Sequence, residues 1–214
     1  MDQIINKPSL YLRPKGLIMR FYALFTLVAV LWGCGSDKTT DGDRLYKNGE
    51  YTKAVEAFTA KLETKPSDIT LLYNRGRAFE ELGKLKEAEA DFTKITEIDE
   101  KNVSAYLSLS QINYKQESFS KAVIFADKAL EINENSAQGH FLVARAKHQL
   151  GYIDSALESY SLAINIDRSY GEAYLYRGAL KIGKKQSRSA CEDIAKAVNL
   201  NVPDARNIQN KYCK

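Results

Sequence analysis

Two histidines and three cysteines are the side chains of this 214-residue chain best suited to metal or covalent chemistry, and their spacing limits what they can do. His140 and His148 are eight apart, about 12 Å along a helix, too far to share one metal ion directly. His140 falls at a packing position and is expected to make a helix–helix contact. There is no glycine loop of the phosphate-binding kind and no cysteine pair at zinc spacing. Carboxylates such as Glu80, Glu81, Glu87 and Glu89 fall on polar helix faces, where solvation accounts for a charge run. Function has to be argued from a site, and these residues form none that could be catalytic. The expectation is a protein that is not an enzyme, with no metal, no cofactor and no evident small-molecule substrate. What remains is thiol chemistry at Cys34, Cys191 and Cys213: acylation or a disulfide.

Cys34 stands where an apolar run stops. Residues 21–33, FYALFTLVAVLWG, carry no charge, and Arg13, Lys15 and Arg20 precede them. A basic flank, a short apolar stretch and a small residue at the cut are the parts of a secretory signal. The run is shorter than the ~20 residues of a comfortable bilayer span. Met19 would begin a more compact signal than Met1, so translation is expected to start there. Leu31-Trp32-Gly33-Cys34 resembles the lipobox of bacterial lipoproteins. That resemblance implies removal of residues 1–33 and acyl chains of the palmitate kind on Cys34. The alternative is an ordinary signal peptide or signal anchor with an incidental cysteine. Two or more acyl chains, at ~0.8 kcal/mol per buried methylene, hold a protein on a membrane stably. The polar stretch Gly35 to Asp43 then reads as a tether within a segment 34–43, at most ~30 Å long when extended. Gly35 is not the aspartate that retains some lipoproteins at the inner membrane. The expected location is the bacterial cell envelope, at the outer membrane facing the periplasm.

The leader also explains the charge. Of 31 Lys+Arg and 27 Asp+Glu, four basic residues and one acidic residue lie in residues 1–33, which leaves the remainder almost neutral. A nucleic-acid partner would require a basic patch or stripe, and none is present.

The rest of the chain repeats every 34 residues. Written in blocks that begin at 35, 69, 103, 137 and 171, the twentieth position is Ala54, Ala88, Ala122, Ala156 and Ala190. The eighth is Gly42, Gly76, Ser110, Ala144 and Gly178, and the twenty-fourth is Phe58, Phe92, Ala126, Tyr160 and Ile194. A fixed period of this length signals a repeat architecture. In the second block Leu72, Gly76 and Phe79 share one helix face, Gly83 breaks the pattern, and Leu85, Ala88, Phe92 and Ile95 form a second face. Two helices joined so closely must lie antiparallel.

This pattern resembles the tetratricopeptide repeat (TPR) family, best in LLYNRGRAFEELGKLKEAEADFTKITEID, Leu71 to Asp99. The resemblance implies an all-α, right-handed superhelical solenoid of about five helix-turn-helix repeats over 44–204. Ser110, Glu117 and Lys185 depart from the family pattern where glycine is usual, at the packing contact for the first and at turns for the other two; looser turns are expected there. Pro203, with Ile208 and Tyr212, marks a capping helix over 205–214. Cys191 and Cys213 then come to similar heights on adjacent helices, either as a disulfide or as two separate thiols.

In TPR proteins the first helix of each repeat lines a concave groove. Carried onto this chain, the resemblance implies a groove of Tyr46, Tyr73, Arg77, Glu80, Leu107, Gln111, Tyr114, Phe141, Arg145, His148 and Leu175. Aromatic and arginine residues are common anchors of protein interfaces. The positions that clamp the C-terminal carboxylate of cytosolic chaperones in some relatives carry Thr39, Asp43, Ser104 and Ser108, with only Asn74 matching, so that ligand is not implied. The functional expectation is a membrane-anchored adaptor that binds a protein or peptide segment in the envelope. The alternative is an envelope peptide-binding or regulatory protein acting on a soluble client.

Overall fold

Helices follow one another in pairs throughout the computed structural model, which describes residues 38–213. Eleven helices occur among these residues: α1 Lys38–Lys47, α2 Tyr51–Leu62, α3 Ile69–Glu81, α4 Leu85–Ile98, α5 Val103–Lys115, α6 Phe119–Ile132, α7 Ala137–Gln149, α8 Ile153–Ile166, α9 Gly171–Gly183, α10 Ser187–Asn199 and α11 Ala205–Tyr212. The first ten form five antiparallel hairpins that pack in chain order into a right-handed solenoid, and α11 covers the last of them. The leader, Cys34 and residues 35–37 lie outside the described residues. The helix α1 begins inside the stretch read as a tether, so residues 38–43 belong to the first repeat.

Close approach within each hairpin comes from the small residues. All five alanines at the twentieth position are fully buried. Opposite them, a methyl group added at Gly42 would come within 2.5 Å of the Phe58 ring, and at Gly76 within 2.9 Å of the Phe92 ring. At Gly178 it would meet Ile194 at 2.9 Å. The third repeat reverses the sizes. There Ser110 stands opposite Ala126 and donates its hydroxyl to the Ala122 carbonyl at 2.8 Å, so its extra atom is both accommodated and bonded.

The helix ends are built to the same period. Asp68, Asn102 and Ser136 cap α3, α5 and α7, each accepting from the backbone N–H three residues on at 3.0–3.1 Å. Each hairpin turn is three residues long, and its middle residue is left-handed: Gly49, Gly83, Glu117, Gly151 and Lys185, with φ between 59° and 80°. The two backbone bonds of a Schellman turn close all five, for example Glu117 N–H to Tyr114 and Ser118 N–H to Asn113. The turns at Glu117 and Lys185 are therefore as tight as the others, which corrects the expectation of looser ones. The bonds impose the conformation whether or not glycine is there to accept it.

A buried ion pair occurs twice. Arg75 of α3 grips Asp91 of α4 through both carboxylate oxygens, at 2.8 and 2.6 Å, and also donates to Thr59 of the preceding repeat at 3.2 Å. Three repeats later Arg177 does the same with Asp193 and Ser161, and Lys181 adds a third bond to Asp193 at 2.7 Å. In the intervening repeats the slot of the arginine is filled by buried Leu109 and Val143. At the C-terminal end, a disulfide joins Cys191 to Cys213 with the Cα atoms 5.6 Å apart. The helix α11 has only Ala205 buried, and Tyr212 is 47% exposed, so the bridge contributes much of its attachment.

Left-handed backbone costs a non-glycine residue ~1–2 kcal/mol, offset in part by the entropy of an added glycine. Glu117→Gly and Lys185→Gly should each raise stability by roughly 0.5–1 kcal/mol in chemical denaturation, while Gly83→Ala should lower it. Removing one partner of a buried ion pair costs ~3–5 kcal/mol. Asp91→Ala should fall near the lower end of that range. Asp193→Ala should cost more, because it strands two cations instead of one.

Candidate functional site

The first helices of the five hairpins, α1, α3, α5, α7 and α9, follow one another along one face of the stack. Their side chains interlock across repeats at constant spacing. Tyr46 donates its hydroxyl to Glu81 at 3.4 Å, Lys115 donates to Glu80 at 2.8 Å, and Gln149 donates to the Tyr114 hydroxyl at 3.1 Å. Each pair is 35 residues apart, so one helix's last turn is tied to the next helix's last turn. The series ends at His148, whose counterpart would be Gly183.

A second repeated contact uses arginine and tyrosine. The Arg77 guanidinium lies 5.1 Å from the Tyr46 ring centre, and Arg145 lies 4.2 Å from that of Tyr114. Such stacking is attractive because the ring face carries negative quadrupole density. A cleft of about 450 Å³ opens at the N-terminal end, lined by Asp43, Tyr46, Lys47, Asn74 and Arg77. The next, about 270 Å³, is polar and includes Tyr73, Arg77, Glu80, Leu107, Gln111 and Lys115. Near the C-terminal end Leu175 and Tyr176 of α9 face Val202, Pro203 and Ile208 across a mainly apolar cleft of about 360 Å³, with Glu172 and Asp204 also in its lining.

The structure thus brings most of the sequence-derived set onto one face, with corrections. Phe141 is buried, 4% exposed, and packs at 5.8 Å on Tyr160 and 4.8 Å on Tyr170, so it is core and not groove surface. Leu107 is 8% exposed and contributes only an edge. Tyr73 is half-buried against Phe92. His140 bonds the Glu134 carbonyl through its ring at 3.1 Å, which makes it a fastening for its own loop. Glu80, Glu81 and Glu89 hold neighbouring repeats and are not merely solvated; Glu89 accepts from Asn113 and Gln116, both at 3.2 Å. The partners Glu81, Lys115 and Gln149 escaped the sequence reading because they sit at helix ends, where polar residues are unremarkable. Their constant offset from Tyr46, Glu80 and Tyr114 was the available signal.

Electrostatics follow burial. Desolvation pushes the hydroxyls of Tyr160 and Tyr170 up, the latter to about 12, so both stay neutral. Burial lowers His148 from 6.5, and its imidazole is neutral at neutral pH. Among the described residues, no group of three or more His, Cys, Asp or Glu could hold a metal ion.

A depressed histidine binds protons less readily when folded than when unfolded. Stability attributable to His148 is therefore intact above pH ~6.5 and declines as the pH falls from there through the folded value. His148→Gln should flatten that acid-side decline in urea midpoints measured between neutral and mildly acidic pH, with the midpoint at neutral pH nearly unchanged.

Family models described as tetratricopeptide repeat match residues 40–103, 103–136 and 137–170, more than half of the chain. The human protein O-mannosyl-transferase TMTC1 is 25% identical over 177 residues, 81% of this chain and 20% of that protein. The chain spans a third or less of the length of the curated relatives it matches. Among solved structures, MamA superposes with a TM-score of 0.68 at 22% identity, covering 77% of this chain and 96% of MamA. YrrB, described as a TPR protein with an unusual peptide-binding site, gives 0.62 at 21% identity, covering 88% and 98%.

Proposed function

Since this chain belongs to the tetratricopeptide repeat family, whose members mediate protein–protein interactions, we propose that its concave face holds an extended or helical segment of a partner protein. The observation that carries this reading is the pair of arginine-on-tyrosine stacks, Arg77 on Tyr46 and Arg145 on Tyr114, set along one face with clefts beside them. Stacked arginines and tyrosines offer large contact area at little entropic cost, as interface anchors do. The peptide-binding site described for YrrB, on the same fold, supports it by analogy. The protein works without catalysis, as an adaptor.

The place of work rests on the leader. A basic flank, the apolar run 21–33 and Leu31-Trp32-Gly33-Cys34 support acylation of Cys34 and attachment to a bacterial envelope membrane, with Gly35 favouring the outer one. Only three residues separate Cys34 from α1, a reach of about 10 Å. The groove would then lie beside the lipid surface, where it holds a partner next to membrane-bound machinery.

Both halves can be tested in the native cell. Labelled palmitate should enter the wild-type protein and not Cys34→Ala, and the variant should leave the membrane fraction. Crosslinked pull-down from membranes should recover a stable multiprotein complex, at least tenfold depleted with Tyr46→Ala/Arg77→Ala at an unchanged thermal midpoint. Undiminished recovery would place the partner off the groove. A single soluble client in place of a complex would favour the regulatory alternative.

A further inference from the structure

The cations of the solenoid differ in how completely they are satisfied. Arg75 and Arg177 each hold an aspartate with two bonds and a hydroxyl with a third. Arg145 holds nothing of the kind. Among the described residues it has no hydrogen-bond or ion-pair partner, although a guanidinium carries five N–H donors. Its Nε is sealed from solvent without a partner, while its two terminal nitrogens are not sealed. Three rings surround it, with centres at 4.2 Å for Tyr114, 5.7 Å for Phe141 and 5.6 Å for Tyr176. Beneath them the Tyr160 hydroxyl is also buried with no partner, stacked on Tyr176 and within the field of Arg145. A buried donor left unbonded is costly, and here two unsatisfied polar groups lie in one cluster.

The rings explain how a cation is held in place without an acid. Their faces stabilise the charge, and packing fixes the plane of the guanidinium. Neither effect uses the N–H donors, which lie in that plane. A planar fork of this kind fits a carboxylate through two parallel bonds. The cluster also stands midway along the face of the first helices, between the polar cleft of Gln111 and Lys115 and the mainly apolar cleft of Leu175 and Tyr176. A segment lying in the groove would pass it.

We propose that Arg145, held among Tyr114, Phe141 and Tyr176, is a recognition site for a carboxylate of the bound segment, supplied by an Asp or Glu side chain or by a free C-terminus. This rests on the groove reading above and names the chemistry of its partner. The site is separate from the carboxylate clamp excluded earlier, whose positions lie on α1, α3 and α5.

The test uses the purified full-length protein in detergent and three pools of randomised hexapeptides. One pool is amidated and contains one Asp or Glu per peptide; one has a free C-terminus and no acidic residue; one is amidated and without acids. Enrichment from the first or second pool, but not the third, is expected, and which of the two enriches identifies the source of the carboxylate. Arg145→Gln should weaken the selected peptide at least tenfold. Arg145→Lys should weaken it several-fold, since lysine keeps the charge but loses the fork and the stack. Selection on the wild type needs no variant to fold, and circular dichroism checks the two that are used. Equal enrichment from the third pool, or a selected peptide indifferent to Arg145→Gln, overturns this site while leaving the groove reading intact. No enrichment from any pool overturns both.

Discussion

Everything in this solenoid depends on how near two helix backbones can come. The fully buried alanines of the second helices and the glycine, serine or alanine facing them set that distance in each hairpin. Large apolar groups such as Phe58, Phe92, Tyr160 and Ile194 then fill the space left beside the contact, and dense packing leaves little room for exchange. Because the same solution recurs every 34 residues, each hairpin presents its first helix at the same angle to the next. The shared face of the first helices is a by-product of that regularity. Stability in such a stack is close to a sum of local and neighbour contributions, which lets individual repeats depart from the pattern without loss of the whole.

The regularity extends to polar groups. Contacts that join Tyr46 to Glu81, Glu80 to Lys115 and Tyr114 to Gln149 are one geometric relation filled by three kinds of hydrogen bond. They fix the rotation of each first helix relative to the next, and so fix what the groove displays. Arg77 and Arg145, two repeats apart, occupy one position with different surroundings: the first opens onto two clefts, the second is packed among rings. Position in a repeat determines where a side chain points, and neighbours determine what it can do there.

The architecture was legible in the sequence because close packing leaves a composition signature at fixed phase. Ala54, Ala88, Ala122, Ala156 and Ala190 announce it by themselves. The groove was only partly legible. Phe141 has the phase of a surface residue, yet Tyr160, Tyr170 and Tyr176 close over it, and that crowding depends on rings from α8, from α9 and from the residue that precedes α9. Nothing in the sequence marks Asp91 and Asp193 as the buried partners of Arg75 and Arg177. Glu117 and Lys185 read as weak turns, since sequence shows the absence of glycine but not the backbone bonds that override it.

The arginine–hydroxyl bonds that cross the two outer junctions, Arg75 to Thr59 and Arg177 to Ser161, give way to Leu109 and Val143 at the two inner ones, and this has a mechanical meaning. Directional bonds resist sliding of one hairpin over the next, whereas apolar contacts tolerate it, because dispersion has no preferred bearing. A pull along the long axis would therefore strain the array unevenly: three side-chain bonds stiffen the junction of the second and third hairpins, while among the described residues Gln149 to Tyr114 alone joins the helices of the third and fourth, where the array would yield first.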